Sequence, residues 1–154
     1  MAIASVLTNT FKAELMRGGH NFGASGDTPA GDAFKIALYD NSASMGTTTT
    51  VYSASDEVSG SGYSAGGNAL TNTGVAKSTS TTYTDFSDTS WTSASFTANG
   101  CLIYNTTAVT GFTTNRSVCV IAFGGDKTVS SGTFTIQFPT NDSSSAIIRL
   151  SGGV

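Results

Sequence analysis

The residues able to do chemistry in this chain are few. One histidine, His20, two glutamates, Glu14 and Glu57, and two cysteines, Cys101 and Cys119, stand among eight aspartates. A serine or cysteine nucleophile needs a base to take its proton, so any such site depends on His20 alone. His20 follows Gly18-Gly19, where a hydrogen-bonding loop residue is expected. Glycoside hydrolysis needs two carboxylates flanking one bond. Glu14 shares its segment with Lys12 and Arg17, and Glu57 lies in a Ser-rich turn, so both read as solvated charges. Gly60-Ser61-Gly62 and Gly66-Gly67 lack the lysine and the strand–helix setting of a phosphate loop. The expectation is a chain with no catalytic residue and no cofactor.

Ligands for metals are no better assembled. The cysteines are 18 positions apart and read as two small buried hydrophobes in a reducing compartment, with a disulfide between adjacent strands as the alternative. Together with His20 they are too few for zinc. Asp27, Asp32, Asp40, Asp56, Asp85, Asp88, Asp126 and Asp142 offer oxygens that calcium favours. Aspartates in turns also bond their local backbone, and no EF-hand spacing is present, so no metal site is expected. Trp91 alternates with Ser93 and Ser95, and on an open face it would stack on a sugar, as in an adhesive carbohydrate-binding module.

The elements that position these residues follow from composition. Of 154 residues, 25 are Thr, 22 Ser and 18 Gly, while charged residues make up 11%. Thr and aromatic residues favour strands, and the usual helix formers are scarce. A hydrophobic content of 38% with fifteen aromatics suffices for a core. A net charge of −3 argues against nucleic acid, which calls for a basic stripe. No stretch approaches a membrane span, and the N-terminus lacks the basic start and apolar run of a signal peptide, so a cytoplasmic origin is expected.

One segment reads as a helix. Thr8-Asn9-Thr10 supplies capping side chains, Phe11 and Leu15 lie four apart, and Gly18 is placed to stop it. Two turns are not stable alone, so this helix must dock on its own sheet or on a neighbouring subunit. From Phe34 the period becomes two, with Phe34, Ile36 and Leu38 on one side of a half-buried strand. Residues 43–80 are mostly Ser, Thr, Gly and Ala, and predict a long excursion between short strands near Val51-Tyr52 and Ala69-Leu70. Strands are expected at Thr81–Phe86, Trp91–Ala98, Cys101–Tyr104, Ser117–Phe123, Thr133–Phe138 and Ala146–Leu150. Gly124-Gly125-Asp126-Lys127 reads as a hairpin turn. The fold expected is all-β, a single-domain β-sandwich or jelly roll (33–154) preceded by an N-terminal segment with a short helix (1–22).

Two blocks carry a resemblance. The first is Phe11-Lys12-x-Glu14-Leu15-Met16-x-Gly18-x-His20-x-Phe22 with Phe34-Lys35-Ile36-Ala37-Leu38-Tyr39; the second is Glu57-Val58-Ser59-Gly60-Ser61-Gly62-Tyr63-x-Ala65-Gly66-Gly67. Further along come Asp85-Phe86, Trp91, Gly100-Cys101-Leu102-Ile103-Tyr104-Asn105, Phe123-Gly124-Gly125-Asp126-Lys127 and Gly132-Thr133-Phe134-Thr135. The pattern resembles small virion structural proteins of tailed bacteriophages. That resemblance implies a capsid cement or decoration protein on the outside of the head, or a tail component, located in the virion. The partners implied are the major capsid protein or other virion proteins, with a homo-oligomer (dimer or trimer) and with neither nucleic acid nor membrane. A surface poor in Lys and Glu, which loses little side-chain entropy on being covered, suits such a subunit. The residues expected at a partner interface are Phe11, Leu15, His20 and Phe22, with the turn residues Asp126 and Lys127. Phe11 and Leu15 serve equally well, on the residues alone, to cap one end of the sandwich.

Overall fold

The computed structural model describes residues 2–24 and 26–152; positions 1, 153 and 154 of the two expected segments lie outside the described residues. Two antiparallel sheets and one short helix form an all-β sandwich. Strands β1 (Val6–Leu7), β2 (Phe34–Tyr39), β3 (Asn68–Leu70), β6 (Thr89–Asn105) and β7 (Arg116–Ile136) make a five-stranded sheet in the order β1-β7-β6-β2-β3. Strands β4 (Asn72–Ser78), β5 (Thr81–Phe86) and β8 (Ile148–Ser151) make the smaller sheet, β4-β5-β8. Helix α1 (Asn9–Met16) follows β1 directly. The strand β4 escaped the sequence reading because Asn72-Thr73-Gly74 interrupts its alternation with a register shift against β5.

The helix begins and ends for the reasons its residues suggest. Thr8 Oγ1 accepts the Phe11 N–H at 3.2 Å, which satisfies one of the orphan donors of the first turn. Gly18 adopts φ +76°, and the Gly19 N–H returns to the Glu14 carbonyl at 2.8 Å. Phe11 is wholly buried under the sheets, so the helix closes one end of this chain's own sandwich.

The second half is simpler than the sequence suggests. Trp91–Ala98 and Cys101–Tyr104 belong to one 17-residue strand, and Ser117–Phe123 is continuous with much of the next expected strand in 21-residue β7. The supposed hairpin turn is a bulge. Ala98 pairs with Lys127 and Gly100 with Ala122, so Phe123–Asp126 stand opposite the single residue Asn99. Gly124 and Gly125, at φ +73° and +139°, supply the backbone this bulge requires. Gly100 is glycine for a different reason: a Cβ there would lie 2.7 Å from the Ile121 carbonyl oxygen and 2.8 Å from Ile3.

Strand β2 is buried on both faces rather than one. Phe34, Ile36 and Leu38 face the core between the sheets with Phe11, Phe22, Phe86, Ile103 and Val118. Ala37 and Tyr39 face the opposite way and join Ala43, Leu102, Tyr104 and Val120 in a second apolar cluster. The cover for this second cluster comes from Ile3 and Val6 and from residues 43–66 of the long excursion, which form bridges at Val51 and Glu57 instead of a strand near Val51-Tyr52. Beyond the short β3, the same excursion completes the edge of β2, because the Val58 N–H reaches the Leu38 carbonyl at 2.9 Å.

Candidate functional site

The histidine and the two glutamates sit in two clusters. The first surrounds His20. Its Nε2 is 2.9 Å from Glu14 Oε2, and its Nδ1 is 3.1 Å from Asn105 Nδ2. The Thr107 N–H donates to Asn105 Oδ1 at 2.9 Å, which fixes the amide so that Nδ2 points inward. One Nδ2 hydrogen then goes to His20 Nδ1 and the other to Asp32 Oδ2, at 2.6 Å. The histidine is therefore neutral with its proton on Nε2, donated to Glu14. Burial holds its pKa below the usual value; the Glu14 hydrogen bond opposes this and the nearby Arg116 adds to it.

Arg116 binds this cluster together. Its side chain is fully buried and donates to the carbonyls of Gly19 (2.7 Å), Thr107 and Thr113 (3.0 Å each). Its Nε makes no hydrogen bond and lies 3.8 Å from Glu14 Oε2, an ion pair without direct contact. The Phe112 ring lies against Arg17 and Arg116. Thus Glu14, expected in solvent, is 8% exposed and accepts from His20 through Oε2. The carboxylate was misread because its partners, His20 and Arg116, come from a loop and a strand that the helical segment gives no sign of.

The second cluster surrounds Glu57. Tyr52 and Tyr63 each donate a phenol hydrogen to its carboxylate at 2.6 Å, and the Gly66 N–H donates at 2.7 Å. Tyr63 Oη also accepts the Leu38 N–H at 2.9 Å, in the place of a neighbouring strand. Tyr104 donates to the Gly66 carbonyl at 2.7 Å and stacks on Tyr52 with centroids 4.7 Å apart. Glu57 is thus half-buried and structural, not a solvated charge. Burial, with the Glu57 carboxylate next, pushes the phenols of Tyr52 and Tyr63 well above the usual value; the same two causes push Tyr104 up to about 12.

The six expected interface residues separate in the fold. Phe11, His20 and Phe22 are interior, at 0%, 7% and 5% exposure. Leu15 is half-buried. Asp126 and Lys127 are exposed, on β7 at the end of its bulge and not at a hairpin tip; Asp126 accepts from the Asn41 and Asn99 side-chain amides. Trp91, at 3% exposure, lies among Tyr63, Phe96 and Phe134 and presents no open face to a sugar. The cysteines are unbonded and buried, and burial raises both thiols. Several aspartates spend their oxygens on backbone N–H groups: Asp40 on Ser42 and Asp142 on Ser144 and Ser145, all local, and Asp85, which lies in a strand, on its neighbour Phe86 and the distant Ile147. Among the described residues no three His, Cys, Asp or Glu side chains come together as a metal site.

What the sequence did not reveal is an apolar groove of about 220 Å3 between α1 and the smaller sheet. Leu15, Phe22, Val75, Thr84, Ile148 and Leu150 line it. Val75 and Leu150 are 56% and 52% exposed, and Met16, next to Leu15, is 90% exposed; among the described residues these are the large hydrophobic side chains left to solvent. Two of the six expected interface residues, Leu15 and Phe22, therefore meet at this groove. The signal available was slight: Val75 stands alone in a Gly-Val-Ala stretch, and Leu150 ends a strand. No family model, curated protein or solved structure matches the chain.

Proposed function

We propose that this protein is a structural component of a bacteriophage particle, a cement or decoration subunit that binds the outside of the head and stabilises contacts between major capsid subunits. The observation that carries a binding role is the groove: two of the large exposed apolar side chains, Val75 and Leu150, stand together on its walls. The phage assignment rests on the sequence blocks that resemble virion proteins. Both run through residues with structural tasks, Glu14 and His20 in one and Glu57, Tyr63 and Gly66 in the other. The mechanism is passive. A folded sandwich adds buried area at joints of the shell, and many symmetric copies accumulate that gain.

Immunogold labelling of intact particles tests the location. Label over the head is the expected result; label confined to the tail replaces the cement role with that of a tail component, and particles without label remove the virion reading altogether. The groove is tested with Val75→Asp/Leu150→Asp, two changes at exposed positions. Binding to particles is expected to fall by more than about tenfold, since each change puts an unpaired carboxylate into an apolar contact. An unaltered circular dichroism spectrum with unaltered binding would exclude the groove.

A further inference from the structure

The Glu14–His20–Asn105 chain does more than fill space. His20 sits where three pieces of the fold meet: α1 through Glu14, the loop before β2 through Asp32, and the paired ends of β6 and β7 through Asn105 and Arg116. Its Nδ1 is an acceptor only because Asn105 turns an N–H toward it. Asn105 cannot turn round without a loss. A flip would aim its amide N–H at the Thr107 N–H, donor against donor, and would withdraw the hydrogen from Asp32.

We propose that His20 is an acid-sensitive latch, in which a proton taken from solvent onto Nδ1 places a donor against the Asn105 amide and loosens α1 from the ends of β6 and β7. The charged groups facing the ring are Glu14 from the helix, Asp32 from the loop and Arg116 from β7; Phe11, Phe22 and Phe34 complete its surroundings. The two carboxylates favour the added proton, whereas burial and the guanidinium oppose it, and opposition wins. The neutral ring is consequently the form the folded chain selects. Protonation is resisted where a free imidazole would accept the proton, and is accompanied by local opening when it occurs. The helix also floors the proposed docking groove through Leu15, so acid would deform that groove without unfolding the sheets. The latch itself does not depend on what the groove binds.

Amide hydrogen exchange on the full chain, with intrinsic rates corrected, tests the latch. Between about pH 7 and about pH 5, protection over residues 11–19 is expected to drop about tenfold or more, while β6 and β7 change little. Equal loss in helix and sheet would overturn the proposal. His20→Gln keeps hydrogen-bonding groups without the titration and is expected to abolish the selective acid effect; an unchanged effect would also overturn it. Should that variant fail to fold, the imidazole nitrogens of the unaltered chain give the answer by NMR. A ring protonated on Nε2 at about pH 7 that titrates below about 6.5 supports the latch, and the Nδ1–H tautomer or a higher titration point refutes it.

Discussion

The two glutamates of this chain hold two different kinds of structure. Glu14 lies in the interior, 8% exposed, and its carboxylate faces a neutral histidine and a buried arginine that ties down three carbonyls. Glu57 is half-buried and receives three hydrogen bonds from groups within nine residues of itself. The first cluster fastens segments far apart in sequence: Asn105 is 85 residues from His20, and Arg116 is 97 from Gly19. The second folds one excursion onto the sheet. Both satisfy buried polar groups, as any interior must, but a long-range cluster loses several attachments when one member goes. A local one loses the shape of a loop.

That difference sets the order of the effects expected on mutation. Arg116→Met should be the worst change in either cluster. It leaves the Gly19, Thr107 and Thr113 carbonyls without their donor and removes the cation near Glu14, for a loss of about 3–5 kcal/mol. Urea unfolding measures it, and a loss below about 1 kcal/mol would mean that the cluster is not a unit. Glu57→Gln keeps the size of the side chain and one acceptor oxygen while weakening three charge-assisted bonds. A loss of about 2 kcal/mol is expected by the same measurement. If it equalled or exceeded that of Arg116→Met, sequence range would not be what separates the clusters.

The clusters should also fail at opposite ends of the pH scale. His20 has its pKa lowered from 6.5, so the unfolded chain binds the proton more readily than the folded one. Stability is complete above about 6.5 and falls as the pH drops below it. Tyr52, Tyr63 and Tyr104 have theirs raised from 10.0, so the unfolded chain loses phenol protons first. Their contribution is complete below about 10 and falls as the pH rises beyond it. The raised Cys101 and Cys119 thiols, which start from 9.0, and the raised Tyr39 phenol add to the same alkaline loss. Thermal melts across the range should show both arms, with His20→Gln flattening the acid arm and Tyr63→Phe reducing the alkaline one. An alkaline arm left intact in Tyr63→Phe would break the link between that arm and the Glu57 cluster.

The all-β class, the helix with its Thr8 cap and Gly18 stop, and most strand positions were legible because they depend on local propensity and period. What composition hid was continuity. Gly124-Gly125 reads as a turn and Gly100 falls between two expected strands, yet they sit inside β7 and β6, where a four-residue bulge and close approach to Ile121 call for glycine. Burial on both faces of β2 was equally hidden, since much of its cover is the Ser- and Thr-rich excursion, joined by Ile3 and Val6 from far away in the sequence. The roles of Glu14 and Glu57 depend on partners that only the tertiary fold assembles. For the same reason Leu15 and Phe22 could be named as surface candidates without Val75 and Leu150, which complete the groove with them.

A third carboxylate isolates burial from the count of bonds. Asp126 is exposed on β7 and accepts two side-chain amides, Asn41 at 3.1 Å and Asn99 at 2.8 Å, only one bond fewer than Glu57 receives. Water stands ready to replace both donors, and an exposed group has no desolvation penalty to leave uncompensated. Asp126→Ala should therefore cost no more than a few tenths of a kcal/mol, within the range of ordinary surface changes. The same urea titration reads it, with Glu57→Gln as the reference. A cost near that of Glu57→Gln would show that the bulge at Gly124-Gly125 needs its carboxylate to hold Asn99 in register. The contrast between the clusters would then rest on backbone irregularity rather than on depth.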